Sequence, residues 1–152
     1  MNAVTPETAG LSGLEQLRAI FDLARPENAP GIGKTLGFTA IELEEGRVVF
    51  GGDPDERVYN PIGTVHGGYA ATLLDSAVGC AVHSTLKAGQ GYATLELKVA
   101  YHRPLTKDTG PVRAEGKVIQ VGRRAAFAEG RLTDLQGRIY ATATSTLLVF
   151  DR

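Results

Sequence analysis

Cysteine is nearly missing from this 152-residue chain: Cys80 is the only one, so an internal disulfide is impossible and a cysteine-based zinc cage is out of reach. A reducing cytoplasm fits that composition. An excess of charge is missing too, because 16 Lys and Arg stand against 17 Asp and Glu, for a formal net charge of -1. That balance gives no electrostatic case for nucleic acid or an anionic membrane as partner. No segment reaches the roughly 18 apolar residues of a membrane span. Residues 1–30 carry Glu7, Glu15 and Asp22 and lack the basic start and apolar run of a secretory signal. Repeats and low-complexity tracts are absent as well. What is present is 43% apolar residues and 19 glycines, enough for one domain with a real core and many tight turns or close backbone approaches.

Ser12 lies three residues before Glu15, a capping-box spacing, and Leu14, Leu17, Phe21 and Ala24 follow at helical intervals. This predicts a short amphipathic helix over 11–25, stopped by Pro26, with a loop containing Pro30, Gly31 and Gly33 after it. Residues 36–43 and 47–51 read as a hairpin across the acidic turn Glu44, Glu45, Gly46. The stretch 67–86 differs from its surroundings, since ten of the fourteen residues at 69–82 are apolar and the only charge there is Asp75. Ala70, Ala71, Leu73, Leu74, Ala77 and Ala81 favour helix, and a helix apolar on nearly every side must be buried on nearly every side. Residues 92–103 then alternate, with Ala93, Leu95, Leu97, Val99 and Tyr101 on one face and Thr94, Glu96, Lys98, Ala100 and His102 on the other. The runs 112–121, 124–133 and 138–150 continue the pattern, and the short links between them imply an antiparallel meander. The layout is α+β: a curved antiparallel β-sheet wrapped around a long central helix in a domain at 31–152, preceded by a helical extension at 1–30.

Asp75 needs an explanation, because an ionised carboxylate inside an apolar helix must be paired, protonated or facing a cleft. It is either functional or capped by a neighbouring hydroxyl such as Thr72 or Ser76. The stretch from Asn60 through His66, Gly67 and Gly68 leads into that helix. Paired glycines at a helix start leave N–H groups bare for an anion or a developing oxyanion, or else permit close packing against another backbone. Gly67 and Asp75 are eight residues apart, about 12 Å along one helix, so they cannot touch one carbonyl carbon together. Two such helices running antiparallel across a two-fold axis would bring Asp75 of one chain near Gly67 of the other, so the site would require a dimer.

The run HGGYAATLLDSAVGCAVHSTL at 66–86, followed by GYATLELKVAYHRPL at 91–105, closely resembles the hotdog-fold acyl-CoA thioesterases of the phenylacetate-pathway (PaaI-like) branch. The resemblance implies hydrolysis of an acyl-CoA thioester, with an aryl or arylalkyl acyl group, to a carboxylic acid and CoA. It implies that Asp75 is nucleophile or general base, that the Gly67 N–H polarises the thioester carbonyl, that His66 and Asn60 orient substrate or attacking water, and that Thr94 supplies a hydroxyl beside the acid. It also implies a homodimer at minimum and a homotetramer by family habit, with acyl-CoA as partner and no cofactor. Tyr69, Leu73 and Val78 are candidates for the acyl pocket or for the core. The chemistry suits these residue types, since N–H donors fixed at a helix terminus stabilise a carbonyl oxyanion without reorganising.

Residues 98–138 hold nine basic against four acidic residues, while residues 1–97 hold six against twelve. Arg103, Arg123 and Arg124 are therefore candidates for the CoA phosphates, or charges guarding a strand edge; Gly68 joins them as a substrate-binding candidate. His66, His83 and His102 lie at no metal-ligand spacing, so no metal is expected; His83 reads as ending the helix near its negative pole and His102 as surface. Two other classes share the features: a non-catalytic acyl-CoA sensor and a hotdog enoyl-CoA hydratase.

Overall fold

The computed structural model of the chain describes residue 8, residues 10–23 and residues 31–152. Helix α1 (Gly13–Leu23) starts at the expected cap, where the Ser12 N–H donates to the Glu15 carboxylate at 2.8 Å and the Glu15 N–H donates back to the Ser12 hydroxyl at 3.4 Å. Ala24, Arg25 and Pro26, the expected far end of this helix, lie outside the described residues. Where a loop was expected, Ile32–Leu36 forms one helical turn, α2, closed by Gly37 in the left-handed region at φ 71°. The hairpin follows as β1 (Phe38–Glu44) against β2 (Arg47–Gly52). Then come the long helix α3 (Gly67–His83) and strands β3 (Gln90–Tyr101), β4 (Val112–Val121), β5 (Ala125–Asp134) and β6 (Ile139–Asp151).

The strands form one six-stranded antiparallel sheet in the order β1-β2-β4-β5-β6-β3. The β4-β5-β6 part is the expected meander. Strand β3 instead sits at the far edge beside β6, with Gln90 opposite Asp151 and Tyr101 opposite Ala141, so residues 102–111 cross the sheet to reach β4. Burial alternates along β5, where Ala126, Ala128, Leu132 and Asp134 are buried and Phe127 is exposed.

Two glycines seat the central helix. Gly116 on β4 pairs with Gly130 on β5, and a Cβ at Gly116 would fall 2.3 Å from the Ala77 carbonyl of α3. Only glycine lets the sheet and the helix backbone come this close. With α3 sunk into the sheet, Leu73, Leu74, Ala77, Val78, Ala81 and Val82 are wholly buried. Each of the Leu and Val side chains contributes about 1.5–3 kcal/mol by leaving water. Helix α1 covers the C-terminal end of α3, burying Leu17 and Gln16 and setting Phe21 edge-on to Phe50. Among the described residues no helix is long and apolar enough to cross a membrane.

Candidate active site

His66 immediately precedes α3 and caps it, its Nδ1 accepting the Gly68 N–H at 2.8 Å. The backbone there is pinned from two sides: the His66 N–H donates to the Val58 carbonyl at 2.8 Å and the Val65 N–H to the Leu105 carbonyl at 2.9 Å. The Gly68 donor is thus already used, while the Gly67 N–H has no partner among the described residues. Of the two bare donors expected from the glycine pair, Gly67 is the one left at the positive end of the helix. Tyr101, at the end of β3, stands over it, donating its hydroxyl to the Gly67 carbonyl at 3.0 Å. A Cβ at Gly67 would meet the Tyr101 ring at 3.0 Å, so close packing and an open donor, posed as alternatives by the sequence, both hold.

Asn60 spends its side chain on its own loop. Its Oδ1 accepts the Ile62 and Thr64 N–H groups at 3.1 and 3.2 Å, and its Nδ2 donates to the Thr64 hydroxyl at 2.9 Å. It therefore shapes the approach to His66.

Asp75 lies on a narrow stripe of α3, with Gly68, Thr72 and Ser76, that the sheet leaves partly open. Neither neighbouring hydroxyl caps it, since Thr72 donates back to the Gly68 carbonyl at 2.8 Å. Asp75 Oδ1 instead accepts the Thr94 hydroxyl at 3.1 Å. Strict alternation would put Thr94 on the face opposite Leu97, Val99 and Tyr101. The pairing with β6 slips between Thr94 and Glu96, and Leu95 becomes an extra residue, 61% exposed. Tyr92 and Thr94 before this bulge, and Leu97, Val99 and Tyr101 after it, consequently all face α3. Ala93 and Leu95, expected on the buried face, are exposed.

Other candidates fall elsewhere. Arg103 donates to the Ile139 carbonyl at 2.8 Å and, with His66, Gly67, Tyr101 and Tyr140, lines a cleft of about 310 Å³ at the start of α3. A second cleft of about 400 Å³, lined by Leu36, Arg57, Tyr59 and Thr72 among others, flanks His66 on its other side. Arg123 and Arg124 are exposed at the opposite end of the sheet, where the Arg124 carbonyl accepts from Val149, the partner of Tyr92. The eleven residue steps from Tyr92 to Arg103 correspond to roughly 35 Å, so one chain does not bring these arginines together.

Leu73 and Val78 are sealed core, and the buried Tyr69 hydroxyl has no partner among the described residues; burial, then Asp53 and Asp55, push it up to about 12. Burial first, then the Asp75 charge, push the Cys80 thiol up to about 12, so it stays protonated and is no nucleophile at neutral pH. His83 corrects an expectation. It does end α3, but it is buried, 3.2 Å from the Gln16 amide oxygen and edge-on to Tyr92, and burial together with Arg152 pushes it down to about 4. A neutral imidazole contributes nothing as a cation at the helix pole. His102 is exposed as expected, 2.8 Å from the Thr142 hydroxyl. Tyr101 is the residue that sequence reasoning passed over; its one signal was a place on the same face as Leu97 and Val99.

The chain is similar to known proteins in sequence and in fold. The chain is 31% identical over 103 residues to the proofreading thioesterase EntH of Klebsiella pneumoniae, covering 68% of this chain and 74% of that protein. It is 24% identical over 119 residues to the 1,4-dihydroxy-2-naphthoyl-CoA hydrolase of Listeria monocytogenes, covering 78% and 95%. A phenylacetic acid degradation-related protein from Ralstonia eutropha JMP134 superposes with a TM-score of 0.74 at 26% identity, over 91% of this chain and 99% of that one. The sequence pattern of the thioesterase superfamily matches residues 62–141, from the loop before His66 through the cleft-lining Tyr140, which is more than half of the chain. With the wrapped helix, the bare Gly67 donor and the acid on α3 all inside that stretch, this chain belongs to the thioesterase superfamily and is a hotdog-fold thioester hydrolase.

Proposed function

We propose that the protein is an acyl-CoA thioesterase acting on aromatic or arylalkyl thioesters, of phenylacetyl type, at sites shared between two copies of the chain. The observation that carries this reading is the placement of Asp75, tied to Thr94, two turns along α3 from the open Gly67 N–H. About 12 Å of helix separates them, too far for one carbonyl, so each needs its complement from a second copy. Strand β3 is an uncovered sheet edge with an exposed Leu95, a natural surface for pairing with itself. Antiparallel pairing centred between Leu97 and Lys98 sets Thr94, and with it Asp75, beside Tyr101 and Gly67 of the second copy. The same operation brings Arg123 and Arg124 of one chain level with Arg103 of the other, where they hold the CoA phosphates as guanidinium forks do.

The Gly67 N–H polarises the thioester carbonyl and stabilises the oxyanion. Asp75 attacks the carbonyl carbon and expels CoA thiolate, leaving a mixed anhydride that water hydrolyses, or takes the proton of a water whose attack breaks the C–S bond and passes that proton to the departing CoA thiolate; Thr94 holds the carboxylate and His66 and Asn60 keep the donor loop in shape. Tyr101 and Tyr140 in the cleft beside His66, and the Ralstonia protein's description, support an aromatic acyl group. Residues 31–152 form the catalytic domain and residues 1–30 an N-terminal extension. We read the assembly as a dimer at minimum and a tetramer as two such dimers, in the cytoplasm where Cys80 stays reduced.

The test is complementation. Asp75→Asn and Gly67→Ala are each expected to release little thiol from phenylacetyl-CoA. Unfolded and refolded together in equal amounts, they should recover about a quarter of the wild-type rate, because half the dimers then carry one intact site of two. No recovery, or a fully active monomer in analytical ultracentrifugation, contradicts the shared site. Strong preference for straight-chain over phenylacetyl and hydroxybenzoyl thioesters contradicts the aromatic assignment.

A further inference from the structure

Resting on the thioesterase reading, we infer that Tyr101 is a positioning residue for the oxyanion donor, acting by clamping the Gly67–Gly68 peptide from the side opposite to His66. That peptide unit is held at both of its polar ends. Its carbonyl, on Gly67, accepts the Tyr101 hydroxyl at 3.0 Å, and its N–H, on Gly68, donates to His66 Nδ1 at 2.8 Å. A peptide is planar, so fixing both ends fixes its orientation. The Gly67 N–H lies in the neighbouring His66–Gly67 peptide, whose carbonyl accepts the Tyr69 N–H at 2.9 Å, and clamping the next plane restricts the swing about Gly67 that a glycine backbone would otherwise allow. The first turn of a helix is where fraying is easiest, because its N–H groups have no intrahelical acceptors. The clamp counters that where an oxyanion donor must be rigid before the reaction begins.

The placement of Tyr101 is not that of a core residue. It is 55% exposed, it is the last residue of an edge strand, and its ring lies on Gly67 closely enough that a Cβ there would sit 3.0 Å away. It lines the same cleft as His66 and Gly67. Its register depends on the bulge at Leu95, which turns both Thr94 and Tyr101 toward α3, so one backbone irregularity sets the holder of the acid and the holder of the donor.

Tyr101→Phe keeps the ring and removes only the clamp. The expected result with phenylacetyl-CoA is a kcat lowered about tenfold, less than the loss of a whole oxyanion donor, with KM within twofold and an unchanged melting temperature. Gly68 amide exchange, followed by NMR, should quicken in the variant while Ala77 in mid-helix stays protected. A merely structural tyrosine would instead lower kcat and melting temperature together. An active wild type that Tyr101→Phe matches within twofold overturns the clamp alone. A wild type that releases thiol from no acyl-CoA overturns the thioesterase reading and the clamp with it.

Discussion

The Thr94 hydroxyl donates to Asp75 Oδ1 at 3.1 Å, joining the edge strand to the one carboxylate of the central helix. The bond occupies one lone pair of Oδ1 and leaves Oδ2 for chemistry. Asp75→Asn should therefore lower thiol release by at least about 10²-fold, the scale of a lost general base or nucleophile. Thr94→Val, which only frees the carboxylate to rotate, should lower it about tenfold. Both are read by steady-state thiol release, and an Asp75→Asn enzyme within tenfold of wild type contradicts the assigned role.

The two glycines at the start of α3 should respond differently to a methyl group. At Gly67 the Cβ meets the Tyr101 ring at 3.0 Å, and at Gly68 it meets His66 Nδ1 at 2.9 Å. Gly67→Ala pushes the ring away and moves the donor, so kcat should fall about 10²-fold, the effect of losing one oxyanion contact. Gly68→Ala displaces the His66 cap, and about 1 kcal/mol of stability should go with it, measured by urea unfolding. Equal effects of the two on kcat would show that the donors are not distinct.

Gly116 is a different case, a contact between strand and helix backbones. A Cβ there lies 2.3 Å from backbone atoms of Ala77, and neither a strand nor a helix backbone can step aside. Gly116→Ala is expected to destabilise by about 3 kcal/mol or more, in the range of severe overpacking. Denaturant midpoints compared with Gly10→Ala, where a Cβ meets nothing within 4 Å, check this.

His83 makes stability depend on pH. Burial pushes it down to about 4, while in the unfolded chain it titrates near 6.5, so between those values the unfolded state holds a proton that the native state refuses. The full contribution is present above about pH 6.5 and is lost progressively as pH falls toward about 4, about 3 kcal/mol in all. Unfolding midpoints at pH 7 and pH 5 measure the loss. His83→Gln, which cannot titrate and can still bond to Gln16, should flatten it.

Much of the fold was legible because its signals are local. The capping spacing of Ser12 and Glu15, the turn at Gly46 and the alternation along β4, β5 and β6 each reflect preferences acting within a few residues. The acid and the glycine donor were legible for another reason: a lone charge in an apolar helix and a glycine pair at its start are both costly unless used. Three things were not. The helical turn at Ile32–Leu36 is too short to carry a periodicity. The neutral state of His83 depends on its burial, with Gln16 and Tyr92 from other elements packed on it, and on the charge of Arg152. The bulge at Leu95 leaves no mark in a pattern that alternates without a break on both sides of it.

By itself the sequence determined an α+β domain with one buried helix, the acid on it and the glycines before it, since burial, periodicity and capping are decided by neighbours along the chain. Only the tertiary structure decided that β3 lies beside β6, that Gly116 and Gly130 seat the helix, and that Thr94 and Tyr101 both turn inward to grip it. Those outcomes depend on strand register and on how closely two backbones approach. Register is set by the whole sheet at once, and a slip of one residue moves every following side chain to the other face.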